Sequence, residues 1–263
     1  MNVDISLLES IVRRVREIVM PFYGNVAFTD KGGYRTDHVT ELDVRVEEYL
    51  RDELSKAFPG IPFVGEETGG DREASTHWLC DPIDGTAHFI RGTPLCTTML
   101  ALVEDGRVTA SVIYDFVGDV FYHAVRGQGA FRDGEPIHVS DRTLNHSWLG
   151  WETHLDKPEN LRLHMALTGA SAFYKTMNAG HEFILVATGK LEGRLCFDPW
   201  GKDYDFAPGS LLIEEAGGIV ANVGSRDYDY RNLNFLAANP RVFKELTEGP
   251  AAIFPIANNL QNV

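Results

Sequence analysis

Residues 81–86 read Asp-Pro-Ile-Asp-Gly-Thr: two carboxylates and a main-chain carbonyl on one stiff turn, followed by a hydroxyl. Pro82 fixes its own φ and drives Asp81 toward an extended conformation. Gly85 lets the backbone come close to a bound group. The preceding Trp78-Leu79-Cys80 is apolar and strand-like, so the acids emerge at a strand end, where ligands collect in α/β proteins. Oxygen donors of this kind suit a hard divalent cation such as Mg²⁺. The N–H groups from Gly85 onward, if they open a helix, suit the phosphate that such a cation would hold. The competing reading is an Asx-type turn whose acids only cap a helix.

Three more acidic clusters bear on that choice. Ile61-Pro62-Phe63-Val64-Gly65 is a short apolar run that ends in Glu66-Glu67. Asp37-His38-Val39-Thr40-Glu41-Leu42-Asp43 opens a helical pattern, with Thr40 as N-cap and Asp43 three residues on in a capping-box arrangement. Asp203-Tyr204-Asp205 opens another helix, which stops at Gly217-Gly218. Each has a local explanation as a solvated strand end or a cap. Four such clusters with these neighbours point to shared cation chemistry.

The elements that must position these acids follow from periodicity. Leu8, Ile11, Val12, Val15, Ile18 and Val19 form one face of a first helix. Leu42, Val46, Tyr49, Leu50, Leu54 and Ala57 form the face of a second, from Thr40 to Ala57. Apolar runs at 62–64 and 79–83 read as strands. Runs at 97–103, 108–114 and 120–124, with Gly106 and Gly118 between them, read as an antiparallel meander. Asp133-Gly134 marks a further hairpin. The composition turns polar around Ser140, dividing the chain into an α+β lobe, 1–140, and an α/β lobe, 141–263. The second opens on an apolar run at 148–151; helices are expected at 160–168, 182–188 and 205–216, and strands near 193–197 and 235–238.

The chain has 263 residues, 44% hydrophobic and 24% charged, with a net charge of −14. That length buries a substantial core, and that composition excludes a disordered chain. No basic stripe offsets the acidity, which argues against a nucleic-acid duplex or an anionic membrane as partner. An acidic protein repels a phosphate ester unless bound cations reverse the local field. Cys80, Cys96 and Cys196 show no paired ligand spacing, so neither zinc nor a disulfide framework follows. Charged residues interrupt any apolar core near the N-terminus and no stretch has the length of a membrane span, so a cytoplasmic location is the expectation.

Gly-Glu-Glu-Thr at 65–68, Asp-Pro-Ile-Asp-Gly-Thr-Ala-His-Phe at 81–89 and Tyr-Asp-Phe-Ala-Pro-Gly-Ser-Leu-Leu-Ile-Glu-Glu-Ala-Gly-Gly at 204–218 resemble the inositol monophosphatase family. That family belongs to the lithium-sensitive, magnesium-dependent phosphatase superfamily, and the likeness runs from about Asp37 to Pro240. It implies a layered αβαβα sandwich and a phosphomonoesterase for a small phosphorylated polyol or sugar. Sugar bisphosphates and nucleotide 3′-phosphates are alternative substrates within the superfamily. A metal- and phosphate-binding protein without turnover is the alternative outside enzyme chemistry.

The resemblance also carries roles. Glu66, Asp81 and the Ile83 carbonyl match the ligands of a first Mg²⁺; Asp81, Asp84 and Asp205 match those of a second, and Glu66 with water those of a third, weaker one. Gly85 and Thr86 match phosphate-binding N–H groups. Asp43 and the Thr86 hydroxyl, with Glu66, match the groups that activate the attacking water. Asp84, Asp198 and Asp205 match positions that meet substrate hydroxyls. The implied reaction is direct in-line attack by a metal-activated water, because Pro82-Ile83 separates the two acids unlike the Asp-x-Asp loop of phosphoaspartate enzymes. A homodimer and lithium inhibition come with the family. His88, Tyr204 and Pro208 stand where it usually has Asn, Trp and a small residue. Lys202 and Arg194 are cations placed to meet a second phosphate, and Lys31 lies in a Gly-rich segment with Gly32 and Gly33.

Overall fold

A computed structural model describes residues 3–31, 38–175 and 177–256, with the backbone alone at 172–175. Asp37 and the Gly32-Gly33 pair lie outside them. The first helical segment is two helices, α1 (Ile5–Arg13) and α2 (Val15–Val19), rather than one. The break lies at Arg14, whose N–H bonds the Ile11 carbonyl three residues back instead of the fourth. A short pair, β1 (Thr29–Asp30) and β2 (His38–Val39), precedes α3 (Glu41–Ala57). Thr40 caps α3 as the sequence predicts, and Leu42, Val46, Leu50 and Leu54 are its buried stripe.

Seven strands follow: β3 (Phe63–Gly65), β4 (Thr76–Asp84), β5 (Thr97–Glu104), β6 (Arg107–Asp115), β7 (Val120–Val125), β8 (Gly129–Arg132) and β9 (Glu135–Pro136). They form one sheet in sequence order, with β3 parallel to β4 and every later pair antiparallel. The expected meander is present. A short helix, α4 (Thr86–Arg91), leaves the end of β4.

The rest of the chain contains β10 (Trp148–Glu152), α5 (Pro158–Thr168), β11 (Ala172–Lys175), α6 (Ala179–Ala187) and β12 (Gly193–Cys196). It continues with α7 (Asp203–Glu215), β13 (Ile219–Asn222), β14 (Phe235–Ala238) and α8 (Pro240–Thr247). Its sheet runs β11-β10-β12-β14-β13. The β11 and β13 strands and α8 are additions to the sequence reading, and α7 starts two residues before the expected Asp205.

Five layers result, as the family resemblance implies. Helices α1 to α3 cover one face of the seven-stranded sheet, and α6 with α7 cover the other. The five-stranded sheet packs on the far side of α6 and α7, with α5 and α8 outside it. Strand β4 is buried on both faces: Trp78 and Cys80 pack toward α1–α3, and Leu79 toward α7. Every residue from Phe206 to Ile213 in α7 is buried, as a helix between two sheets requires.

Candidate metal centre and active site

Strand β4 ends irregularly. Asp81 pairs with Met99 and Asp84 with Thr97, with a register shift between them. The missing N–H of Pro82 falls in that shift, beyond the end of β3, which pairs only as far as Cys80. Gly85 then takes φ +88°, and a Cβ there would sit 2.4 Å from the Leu95 carbonyl oxygen. The turn therefore demands glycine, and α4 leaves from Thr86.

Three of the predicted acids meet. Asp81, Asp84 and Asp205 each place a carboxylate oxygen within 4.8 Å of the other two. Burial, then Glu66, Asp205 and Asp84, push the Asp81 carboxyl well above the usual carboxylate range. Burial, then Glu66 and Asp84, do the same to Asp205. Among the described residues, no hydrogen-bond donor is aimed at the buried Asp81 Oδ1. Like charges so close, one with an orphaned oxygen, are costly to assemble without a cation. The donor set is all oxygen, and it fits a hard divalent ion.

Asp84 is held firmly. Its Oδ2 accepts from Thr97 Oγ1 (2.7 Å), Asn178 Nδ2 (2.7 Å) and the Gly180 N–H (2.7 Å), and its Oδ1 from the Ala179 N–H (3.2 Å). A Cβ on Gly180 would lie 2.1 Å from Thr97 Oγ1 and 2.8 Å from Asp84 Oδ2, so the approach of α6 needs glycine. Asp205 Oδ2 accepts the Lys202 N–H at 2.5 Å and so caps α7 as well.

Glu66 stands outside the 4.8 Å group. Its Oε1 takes Lys31 Nζ at 2.8 Å, and Glu67 Oε1 takes the same ammonium at 2.5 Å. Burial raises the Glu66 carboxyl, and Lys31 opposes the shift. The Glu66-Glu67 turn is fixed by Glu47, whose carboxylate accepts the Glu67 and Thr68 N–H groups at 2.9 and 3.0 Å.

Asp43 joins the site through Thr86. Its Oδ2 accepts from Thr40 N and Thr40 Oγ1, both at 2.7 Å, while its Oδ1 lies 3.0 Å from Thr86 Oγ1. Thr86 Oγ1 also lies 3.0 Å from the Ile83 carbonyl oxygen. Burial raises the Asp43 carboxyl against the Thr40 and Thr86 hydrogen bonds.

Other candidates lie elsewhere. Asp198 has φ +51°, and its Oδ2 is taken by Lys157 Nζ (2.6 Å) and Asn160 Nδ2 (2.9 Å). His88 bridges Thr93 Oγ1 (3.0 Å) and the Met177 carbonyl (2.9 Å), a structural post as its place in the helix suggests. Arg194 is fully buried between Glu152 and Glu182, so it does not reach a second phosphate. Its length and charge read as surface until the second sheet closes over it. Sequence reasoning also missed Glu47, Thr97, Asn178, Glu152 and Glu182. Only Glu47 carried a signal: it follows Asp43 by four residues, on the buried face of α3. All three cysteines are buried and form no disulfide, and among the described residues no helix is long and apolar enough to cross a membrane.

The family model of the inositol monophosphatase family matches residues 3–253. The inositol-1-monophosphatase of Mesorhizobium japonicum is 32% identical over 218 residues, 80% of this chain and 81% of that protein. The Nus factor SuhB of Haemophilus influenzae is 28% identical over 257 residues, 94% and 95% of the two chains. Among solved structures, an IMPase from Thermotoga maritima superposes with a TM-score of 0.83 at 26% identity, covering 92% of this chain and 94% of that one. The chain belongs to the inositol monophosphatase family.

Proposed function

We propose that this protein is a Mg²⁺-dependent phosphomonoesterase for a small phosphorylated polyol or sugar. The observation that carries the reading is the Asp81–Asp84–Asp205 cluster, with Thr86 Oγ1 3.0 Å from both Asp43 Oδ1 and the Ile83 carbonyl oxygen. Glu66, Asp81 and the Ile83 carbonyl would hold one Mg²⁺, Asp81, Asp84 and Asp205 a second, and Glu66 a weaker third. Bound Mg²⁺ would supply positive charge against the phosphoryl oxygens and make a water more acidic. The backbone N–H groups of Gly85 and Thr86 would receive the phosphate. Thr86 would pass the attacking water's proton to Asp43, which is buried and hydrogen-bonded in place. Attack is direct, and no aspartate is phosphorylated. Lys31 holds Glu66 Oε1 at 2.8 Å, so the other oxygen, Oε2, would be the one to ligate.

Asp84, Asp205 and Asp198 would meet substrate hydroxyls. Lys157 on Asp198 brings a cation to that acid and favours, as second reading, a sugar bisphosphate or nucleotide 3′-phosphate. Residues 1–140 would form the lobe with most ligands, and 141–263 the lobe that supplies Asp205 and substrate selection. Three cysteines without a disulfide support a cytoplasmic setting, and family precedent supports a homodimer. The turnover reading is favoured over silent binding because the acid cluster and the Asp43–Thr86 pair are both intact.

The test is phosphate release from inositol 1-phosphate, hexose and pentose phosphates, fructose 1,6-bisphosphate and adenosine 3′,5′-bisphosphate. Each is assayed with Mg²⁺, with chelator and with millimolar lithium. Mg²⁺-dependent release should be inhibited by lithium and fall at least about 10²-fold in Asp84→Asn. Release that survives Asp84→Asn would remove the proposed metal centre. Mg²⁺ binding without release from any ester would favour the binding protein.

A further inference from the structure

Arg194 lies in β12, fully buried. Its guanidinium is a fork between two carboxylates: Nη1 donates to Glu182 Oε2, and Nη2 donates to Glu152 Oε2 at 2.5 Å. The rings of Phe183 and Phe206 cover it, their centroids 4.9 and 5.3 Å from Cζ. A charge so deep is tolerated only when paired.

The second oxygen of each glutamate reaches toward the acid cluster. Glu182 Oε1 accepts the Met177 N–H at 2.8 Å. The next three residues supply the Asn178, Ala179 and Gly180 donors that hold Asp84. Glu152 Oε1 accepts the Trp200 and Gly201 N–H groups at 3.1 and 2.8 Å. The next residue is Lys202, whose N–H holds Asp205. One guanidinium thus ties together the two backbone clamps, one behind Asp84 at the end of β4 and one behind Asp205 at the start of α7.

We infer that Arg194 is a positioning residue for the metal centre: through Glu182 and Glu152 it sets the spacing of Asp84 and Asp205, and so the affinity for the divalent cation. The inference rests on the metal-centre reading above. Two acids from different layers repel each other, and their separation must be imposed from behind. The planar, two-pronged guanidinium does this where a lysine ammonium cannot span both carboxylates. Partners behind first ligands typically govern affinity by about 10- to 100-fold.

The test measures Mg²⁺ binding by titration calorimetry, together with melting temperature, for wild type, Arg194→Lys and Leu8→Ala. Leu8 is buried in the core on the far side of the seven-stranded sheet, so its truncation lowers the melting temperature without touching the clamps. Arg194→Lys should weaken Mg²⁺ about tenfold, with turnover recovering at saturating Mg²⁺, whereas Leu8→Ala should keep wild-type affinity. Arg194→Lys with wild-type Mg²⁺ affinity would reduce the triad to a structural pair of ion bridges. Should Arg194→Lys fail to fold, R194M/E152Q/E182Q removes all three charges together while each glutamine carbonyl can still accept the clamp N–H groups, and unchanged affinity there overturns the inference equally. Wild-type protein that binds no Mg²⁺ would sink the metal-centre reading and this inference with it.

Discussion

Thr86 Oγ1 carries one proton and faces two acceptors, Asp43 Oδ1 and the Ile83 carbonyl, each at 3.0 Å. It can donate to only one at a time, which makes it a switchable contact rather than a fixed one. Thr86→Val keeps the branched shape and deletes the hydroxyl. We expect kcat to fall about 10²-fold with Mg²⁺ affinity nearly unchanged, as steady-state kinetics over a Mg²⁺ series would show. A loss confined to Mg²⁺ affinity would make Thr86 a support for the Ile83 carbonyl instead. At this scale much of the site was legible. Asp43, Asp81, Asp84 and Asp205 announce themselves by cap spacing and by the Pro-Gly turn chemistry around them. Arg194 does not, because Gly193-Arg194-Leu195-Cys196 alone cannot tell that both faces of the strand will be covered. Only the distant pairing of Glu152 and Glu182 makes sense of a buried charge.

Elements matter here mainly through their ends. Strand β6 ends at Asp115, whose Oδ1 accepts the Val117 and Gly118 N–H groups at 3.1 and 2.8 Å, and whose Oδ2 lies 3.7 Å from His181 Nε2 on α6. Burial pushes this carboxyl up, but the nearby His181 ring and the backbone hydrogen bonds outweigh it and hold the group below its ordinary value. A depressed acid stabilises the fold fully above its unfolded pKa of about 3.9 and loses that contribution as pH falls through the lower, folded value. Asp115→Asn should cost about 1–2 kcal/mol at pH 7. The gap should close below about pH 4, read from urea midpoints across a pH series. A gap independent of pH would trace the cost to hydrogen-bond geometry rather than charge. The elements themselves were unevenly legible. The meander showed because its strands alternate with Gly106 and Gly118, whereas β13 (Ile219-Val220-Ala221-Asn222) is four residues long. Its ladder partner β14 begins more than ten residues later, with an irregular Asx-rich segment between them. Local periodicity has too few residues to register such a strand.

The whole molecule carries fourteen excess negative charges, with its most crowded acids at one centre. Its layers were inferable as a class from alternating elements, but their order was not, because β14 inserts between β12 and β13 through contacts distant in sequence. The middle layer has a consequence for how the chain assembles. Helices α6 and α7 form the inner wall of both sheets, and a single apolar cluster runs from Val64 and Leu79 through Phe183 and Phe206 to Phe235. Calorimetric melting of the metal-free protein should therefore give one transition with equal calorimetric and van't Hoff enthalpies, and two resolved transitions would show lobes that melt apart. Until residues past 200 exist, the seven-stranded sheet has only α6 against its inner face. Its meander of neighbouring strands can zip early, yet most of the face stays bare until α7 arrives, so commitment to the native state waits on contacts of long sequence separation. On a ribosome, the first half of this protein is an unfinished sheet waiting for a helix still to be made.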